Sequence, residues 1–445
     1  MLSEMCVGDL IGEPGGDIQT GPFGTKLKAA EYTTQGVPII SVGEVGYGRL
    51  RVHRKTPRVD ETVTRRMPEY LLEPGDIVFG RKGAVDRSAL VLEDQRGWFL
   101  GSDGIRLRLP SSCDARFMSY QFQAPRHREW MMRHAAGTTM ASLNEPIIRS
   151  IPIVLPPLGV QRAIAAVLGA LDDKIEQNRR TAQALERLAR AIFRAWFVDF
   201  EPVKAKAAGA TAFPSMPQPV FDALPTRFVD SEVGPVPEGW KVKLATDVAT
   251  VAIGKTPPRK EPHWFTNDPS HMPWVSIRDM GICGAFIGAT SEYLTNAAVE
   301  RFRVRRIPDR SVLFSFKLTV GRVAIADGEI TSNEAIAHFV PNSPESMGTE
   351  YLYCYLIGFD HNLLGSTSSI ATATNSRIVK EMPILVPLLS SAEEFTALTR
   401  PIFNALRSLT QESSKLAQLR DYLLPKLLSG TVRVKEAERL LEVAQ

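Results

Sequence analysis

The sequence predicts an α+β protein of two homologous globular domains joined to two long coiled-coil helices, and three observations predict it. The first is a duplication. IPIVLPPL from Ile151 is answered by MPILVPLL from Met382, so that Pro152 and Pro156 match Pro383 and Pro387, and Asn144 matches Asn375 at the same separation. Farther upstream VPIISVGEV from Val37 is answered by MPWVSIRDM from Met272, with a small drift that a loop insertion explains. The second is that each copy ends in a long heptad-patterned stretch. The third is that short strand signals come in a run and the helix comes late, which favours α+β over an orderly alternation of strand and helix. A period this long is no solenoid repeat. It describes two related domains and two matching helices, an approximate twofold symmetry within one chain like that of a dimer.

The elements follow in order. The first globular segment spans 1–157, with strands expected at Val37 to Val42, Asp76 to Phe79, Ser88 to Leu92 and Ile105 to Leu109, each rich in Ile, Val, Leu or Phe and closed by turn residues. A helical stretch from Phe117 to about His134 closes it. Over 158–200 the positions Ile164, Leu168, Leu171, Ile175, Asn178, Ala182, Leu185, Ala189, Ile192 and Trp196 step by four and three, the spacing of a coiled-coil seam. Pro202 bounds this helix, because proline lacks the amide hydrogen and disfavours helix in the residue before it. Residues 201–238 carry seven prolines and are expected as a linker. The second globular segment spans 239–388, and a second helix over 389–430 repeats the seam with Ile402, Leu406, Leu409, Ser413, Leu416, Leu419 or Arg420, Leu423 and Leu427, before a tail at 431–445. A helix of about 40 residues is about 60 Å long, more than a domain of about 150 residues needs. The two helices are therefore expected to pack on each other, the alternative being that each lies along its own domain. Asn178, polar within the seam, is a candidate for setting register.

Composition excludes several classes. With 445 residues, 44% hydrophobic and 23% charged, the chain has material for folded cores, and it holds no run of about 18 apolar residues. The start MLSEMCVGDL does not read as a signal peptide. Cys6, Cys113, Cys283 and Cys354 show no CxxC spacing, so reduced thiols and a cytoplasmic location are expected. A formal charge of +4 is only mildly basic, but cations cluster locally at Lys26 and Lys28, at Arg49, Arg51, Arg54 and Lys55, at Arg65 and Arg66, and at Arg301, Arg303, Arg305 and Arg306. ATVAIGKT, from Ala249 to Thr256, resembles a relaxed phosphate loop, yet Pro257 and Pro258 follow where that loop must open a helix. The histidines lack metal-ligand spacing, with His263 and His271 too far apart for an HExxH arrangement, and no Ser, His and Asp set stands out. Neither a glycine-rich methyl-donor loop nor an Asn-Pro-Pro-aromatic element is present, so base-modifying chemistry is not expected from this chain.

The strings GVQRAIAAVLGALDDKIEQNRR from Gly159, WFVDFEPVKAK from Trp196 and LRDYLLPKLLSGTVRV from Leu419 resemble the central and C-terminal repeats of the specificity subunits of type I restriction-modification systems. QTGPFGTKL from Gln19 and GKTPPRKEPHW from Gly254 resemble the starts of that family's two variable domains, and the likeness covers nearly the whole chain. The chain departs from the family's common Glu-Gln after the PPL element at Val160-Gln161 and at Ser390 to Glu394. The resemblance implies a non-catalytic subunit: two target recognition domains, each reading one half of a bipartite, asymmetric DNA sequence, on an antiparallel pair of helices. It implies double-stranded DNA, two methyltransferase subunits and restriction subunits as partners. It further implies no cofactor on this chain, S-adenosylmethionine belonging to the methyltransferase partner, while the histidine spacing by itself leaves no metal site expected.

Phosphate contacts by Lys, Arg and small polar side chains set register, while side chains in a groove select bases. On that chemistry the candidates in the first domain are Gln19, Thr20 and Lys26 on one loop, then Arg81 and Lys82, then Thr138, Thr139 and Asn144. Their expected counterparts are Lys255, Thr256 and Arg259, then Lys317 and Arg322, then Ser368, Ser369 and Asn375. Asn144 and Asn375 equally suit a local cap, since Asn readily bonds its own backbone. A coiled-coil scaffold without a DNA role is the alternative. It accounts for the helices but not for two domains with matched basic loops.

Overall fold

Strand follows strand through the first domain because its β-branched and aromatic runs are short and each is closed by a turn residue. In chain order come β1 (Ser3–Cys6), α1 (Val7–Leu10), β2 (Asp17–Thr20), β3 (Val37–Ile40), β4 (Gly48–Arg49), β5 (Arg58–Val59) and α2 (Glu61–Arg66). There follow β6 (Ile77–Gly80), β7 (Ser88–Leu90), β8 (Phe99–Leu100), β9 (Gly104–Arg108), α3 (Ala115–Gln123), α4 (Pro125–His134), α5 (Glu145–Arg149) and β10 (Pro152–Leu155). These belong to a computed structural model that describes residues 3–24, 26–137, 140–343, 347–361 and 375–444. The strands form a five-stranded sheet in the order β2-β9-β6-β7-β4, a three-stranded sheet β5-β3-β8 and an antiparallel ribbon β1-β10. β6 alternates between two cores, as period-two geometry demands. Ile77 and Phe79 join Phe117 and Phe122 of α3, whereas Val78 joins Ile39, Ile40 and Phe99 of the small sheet. The single helix expected from Phe117 to His134 is two helices. Pro125 holds Ala124 in extended geometry (φ −61°, ψ 143°), so α3 ends there and α4 begins with the proline at its first position.

The chain continues through α6 (Leu158–Phe197), α7 (Glu201–Ala207), α8 (Gln218–Ala223), β11 (Phe228–Val229) and β12 (Val236–Pro237). The second domain then supplies β13 (Lys241–Leu244), α9 (Ala245–Val248), β14 (Ala249–Ile253), β15 (Phe265–Thr266), β16 (Met272–Val275), α10 (Ile277–Met280), β17 (Phe286–Ile287), β18 (Tyr293–Leu294) and α11 (Asn296–Arg301). It closes with β19 (Val312–Ser315), β20 (Val323–Ala326), β21 (Thr331–Ser332), β22 (Ile336–Pro341), α12 (Thr349–Gly358), α13 (Ser376–Lys380) and β23 (Pro383–Val386), before α14 (Leu389–Leu428) and α15 (Val434–Ala444). Its large sheet, β14-β22-β19-β20-β17, repeats the first domain's large sheet strand for strand, and β13-β23 repeats the ribbon. The matched prolines explain why the duplication is clearest there: Pro152 pairs with Cys6 and Pro383 with Leu244, each at the same corner of its ribbon.

The fold divides into two units, Met1–Lys174 with Lys415–Gln445, and Ile175–Ser414. In the first, Ile164, Leu168 and Leu171 of α6 share a core with Leu423, Leu424 and Leu427 of α14, and Arg420 pairs with Asp172 at 2.8 Å. Gln161, at the start of α6, is buried and ties it to α3: its side chain accepts from the Asp114 amide and donates to the Pro156 carbonyl. In the second unit, Phe193, Trp196 and Phe197 surround Phe395, while Asn178 Nδ2 donates to Glu412 Oε2 at 2.9 Å. Partners later on α6 lie earlier on α14, so the helices are antiparallel. They also serve their own domain, since Tyr351 and Tyr353 of α12 pack into the same aromatic core. This broadens the apolar face beyond the expected seam and buries Phe193, Phe197, Phe395 and Phe403, which the heptad spacing omits.

The proline-rich segment is more than a linker. Val203, Met216, Phe221, Leu224 and Val236 are buried in the second unit's core, and Phe200, in left-handed backbone (φ 53°), packs edge-on against Trp240 and Phe228. Its prolines start short helices rather than prevent order, the position where proline costs least. No helix among the described residues is long and apolar enough to cross a membrane.

Asn178 provides a first prediction. It is buried within the seam, so Asn178→Ala should destabilise the second unit by about 1 kcal/mol, because the bond to the half-buried Glu412 is lost. Urea unfolding followed by helix circular dichroism reads this, and a change within experimental error would show that the bond carries no weight.

Candidate nucleic-acid interface

In the first domain three loops meet at one end of the five-stranded sheet. They are the loop after β2, the hairpin between β6 and β7, and the turn between β8 and β9. Gly21 donates its amide to the Gly104 carbonyl at 3.0 Å, and a Cβ at Gly21 would overlap the Gly101 carbonyl, so only glycine allows the chain through. The Arg81 amide donates to Asp103 O at 2.9 Å, and its guanidinium donates to Ser102 O at 3.2 Å while lying 5.7 Å from the Phe23 ring centroid. Lys82 Nζ is 3.5 Å from Asp103. Two further backbone bonds, Gly83 to Ala141 and Leu143 to Arg81, dock the segment after α4 onto the same hairpin. The result is a rim on which the Arg81 guanidinium lies over Phe23, whose side chain is 63% exposed, and Lys82 is paired with Asp103.

The candidates of the first domain distribute unevenly over this rim. Arg81 and Lys82 lie on it. Gln19 and Thr20 are not in a loop but end β2, paired with Arg106 and Ile105, because the strand runs up to Gly21; Gln19 Nε2 donates to Thr20 O at 2.8 Å. Lys26 Nζ donates to the Tyr70 hydroxyl at 3.0 Å, and that bond holds its ammonium above the usual lysine range. Asn144 caps α5, accepting from the Ile147 amide at 3.0 Å. Thr138 and Thr139 lie outside the described residues.

The second domain repeats the junction with other side chains. Gly254 donates to Ile336 O at 3.0 Å, and a Cβ on it would overlap the Asn333 carbonyl, as at Gly21. The Phe316 amide donates to Ala335 O, as Arg81 does to Asp103 O. Phe316 thus stands where the first domain has Arg81, and Lys317 where it has Lys82. Thr256 Oγ1 bonds the Glu334 carboxylate beside this junction. Lys255 donates its amide to Ser332 O at 2.8 Å and its carbonyl accepts from the Trp274 indole at 3.2 Å, and residues 254–258 open no helix.

Two expected counterparts are engaged elsewhere. Arg259 forks onto Glu292 with two bonds of 2.8 Å and stacks over Phe265 and Trp274 at 4.1 and 4.5 Å, an arrangement that holds its guanidinium above the usual range and braces the loop. Arg322 stands at the place of Arg87, since the Ser315 and Gly80 amides bond the Arg322 and Arg87 carbonyls alike. Its guanidinium donates to Ile277 O against Gly281, away from the rim. Asn375 caps α13, accepting from Ile378 at 2.9 Å, while Ser368 and Ser369 lie outside the described residues. Several cations of the sequence clusters are likewise taken up in ion pairs: Arg49 with Asp173, Arg65 with Glu61, Arg66 with Glu31 and Arg306 with Glu329. Phe23 and the close-approach glycines were not among the sequence candidates. The paired GPF and GKT strings after β2 and β14 are the signal that could have found the glycines.

Comparison with known proteins agrees with this duplicated design. The family described as "Type I restriction modification DNA specificity domain" matches residues 17–187 and again 237–416. The HindI specificity subunit of Haemophilus influenzae is 27% identical over 68% of this chain and 73% of its own. The MjaIX specificity subunit of Methanocaldococcus jannaschii is 23% identical over 93% of this chain and 90% of its own. A crystal structure of a type I restriction-modification S subunit from M. genitalium superposes with a TM-score of 0.54 at 15% identity, covering 96% of both chains, which is a likeness of fold.

Proposed function

Because the chain belongs to the type I restriction modification DNA specificity family, we propose that it is the DNA-recognition subunit of such a system, each domain reading one half of a bipartite, asymmetric target. The observation that carries this reading is the repeated loop junction. At the same end of the same sheet, both domains pass a glycine under a backbone carbonyl and present a lysine on the adjoining hairpin, Lys82 and Lys317, while the surrounding side chains differ. A shared frame with unlike side chains suits two different half-sequences.

On this reading the chain catalyses nothing itself and works in the cytoplasm. Two similar surfaces along the paired helices recruit two copies of a methyltransferase subunit, which bring S-adenosylmethionine to an adenine in each half-site, and restriction subunits join to cleave unmodified DNA. Lys82, Lys317 and the Arg81 guanidinium hold phosphates and set register, while neighbouring polar side chains select bases.

The test is a map of modified adenines in cells with and without this chain. A bipartite motif should vanish on deletion, and exchanging residues 1–157 for those of a relative should change one half of it only. Loss of both halves together would rule out independent reading, and a motif unaffected by deletion would leave the scaffold alternative standing.

A further inference from the structure

The hairpin between β19 and β20 carries two unfavourable features at a single residue. Leu318 sits in left-handed backbone, φ 64°, and its side chain is 76% exposed. Left-handed geometry crowds Cβ against the following carbonyl in any residue but glycine, and an apolar side chain held in water adds a second cost. The first domain avoids both. Its hairpin has the same length between equivalent bonds, Gly80 to Arg87 against Ser315 to Arg322, and its third residue is Gly83, also left-handed at φ 73°. The backbone therefore calls for glycine at this tip, and the second domain has leucine instead. Phe200, another left-handed residue, recovers its cost by packing on Trp240. Leu318 has no such burial.

Strain and exposure at one loop tip, beside a cation, mark a contact made only with a partner. Lys317 precedes Leu318 on the tip. In the first domain an exposed apolar side chain also stands on the rim, but it comes from the neighbouring loop: Phe23, beneath the Arg81 guanidinium. We infer that Leu318 and Phe23 are apolar wedges that press between stacked base pairs of the bound duplex, each next to a lysine or arginine that holds the phosphate backbone. Wedges of Leu or Phe partly unstack one base step and bend the duplex there, most easily at a pyrimidine–purine step. This adds to each half-site a shape preference that needs no hydrogen bond to a base. It rests on the recognition role proposed above.

The test uses the full-length chain assembled with its methyltransferase partner, and a duplex selected by the unsubstituted assembly from a random-sequence pool. Leu318→Gly should weaken binding by about 10- to 100-fold, the range expected for losing one buried leucine-sized contact. The slope of log affinity on log salt should stay unchanged, since no charge is lost. The same variant should melt no lower than the parent, because glycine suits the backbone. Lys317→Ala should behave oppositely, lowering the salt slope by about 0.9. Fluorescence of 2-aminopurine placed at successive positions should brighten at one step in each half-site, that in the Leu318 half being lost in Leu318→Gly and that in the Phe23 half in Phe23→Ala. Unchanged affinity and unchanged fluorescence in both variants would overturn the wedges while leaving recognition intact. An unsubstituted assembly that selects no duplex would overturn recognition, and the wedges with it.

Discussion

Phe395→Ala should lower the stability of the second unit by about 3–5 kcal/mol, the cost of emptying a large aromatic site in a close-packed core. Phe395 is fully buried, with ring centroids 5.6 Å from Phe193, 6.3 Å from Trp196, 5.2 Å from Phe197 and 6.3 Å from Tyr351, mostly edge-to-face. These rings come from α6, α12 and α14, so the cavity would loosen the helix pair and the domain's seat on it together. Trp196 and Trp240 lie in the same core and report its unfolding in urea by fluorescence. Leu389, 61% exposed at the start of α14, supplies the control, with Leu389→Ala expected to change stability by less than about 0.5 kcal/mol. Equal midpoints for the two variants would show that the aromatic cluster does not hold the unit.

The second domain should also lose stability in mild acid, and His338 should be the cause. His338 lies in β22 between β14 and β19, buried, with neither ring nitrogen hydrogen-bonded. Burial first, and the positive charge of Arg305 second, lower its pKa from 6.5 to about 4. A base whose folded value lies below its unfolded value is protonated more readily in the unfolded chain. The neutral ring's contribution is therefore intact above about pH 6.5 and is lost as the pH falls toward 4, for a total of about 3 kcal/mol. His338→Leu should flatten the urea midpoint of the second unit across that window while leaving the first unit unaffected. An unaltered pH profile in the variant would place the acid sensitivity in other groups. The first domain has Arg106 at the equivalent register, paired with Asp17 and bonded to Glu69 O, so the same buried position there holds a compensated charge.

Much of the architecture was legible because it repeats or is periodic. Pro152 and Pro383, near the start of IPIVLPPL and MPILVPLL, occupy equivalent ribbon corners, and the heptad spacing picks out Leu168, Leu171, Asn178, Ala189 and Trp196, all buried. The break at Pro125 was legible too, but the apolar residues on both sides of it masked the stop. The candidate interface was less legible. Arg81, Lys82 and Lys317 reach the loop junctions, yet Arg259 and Arg322, as suitable by side-chain chemistry, are committed to Glu292 and to Ile277 O. Nothing near Arg259 in the chain announces a carboxylate that arrives 33 residues later.

By itself the sequence determined the duplication, the two long helices, the strand-rich domains and their family, because these depend on patterns written within short stretches and then written again. The tertiary structure alone decided which cations remain for a partner and which become braces. It decided that the proline-rich segment is built into a core, and that a hairpin shaped for glycine at Gly83 carries Leu318 in its second copy. Charge pairing and burial are set by groups distant in the chain that only the folded arrangement brings together, and the sign of a backbone angle at a hairpin tip follows from how the two strands are joined.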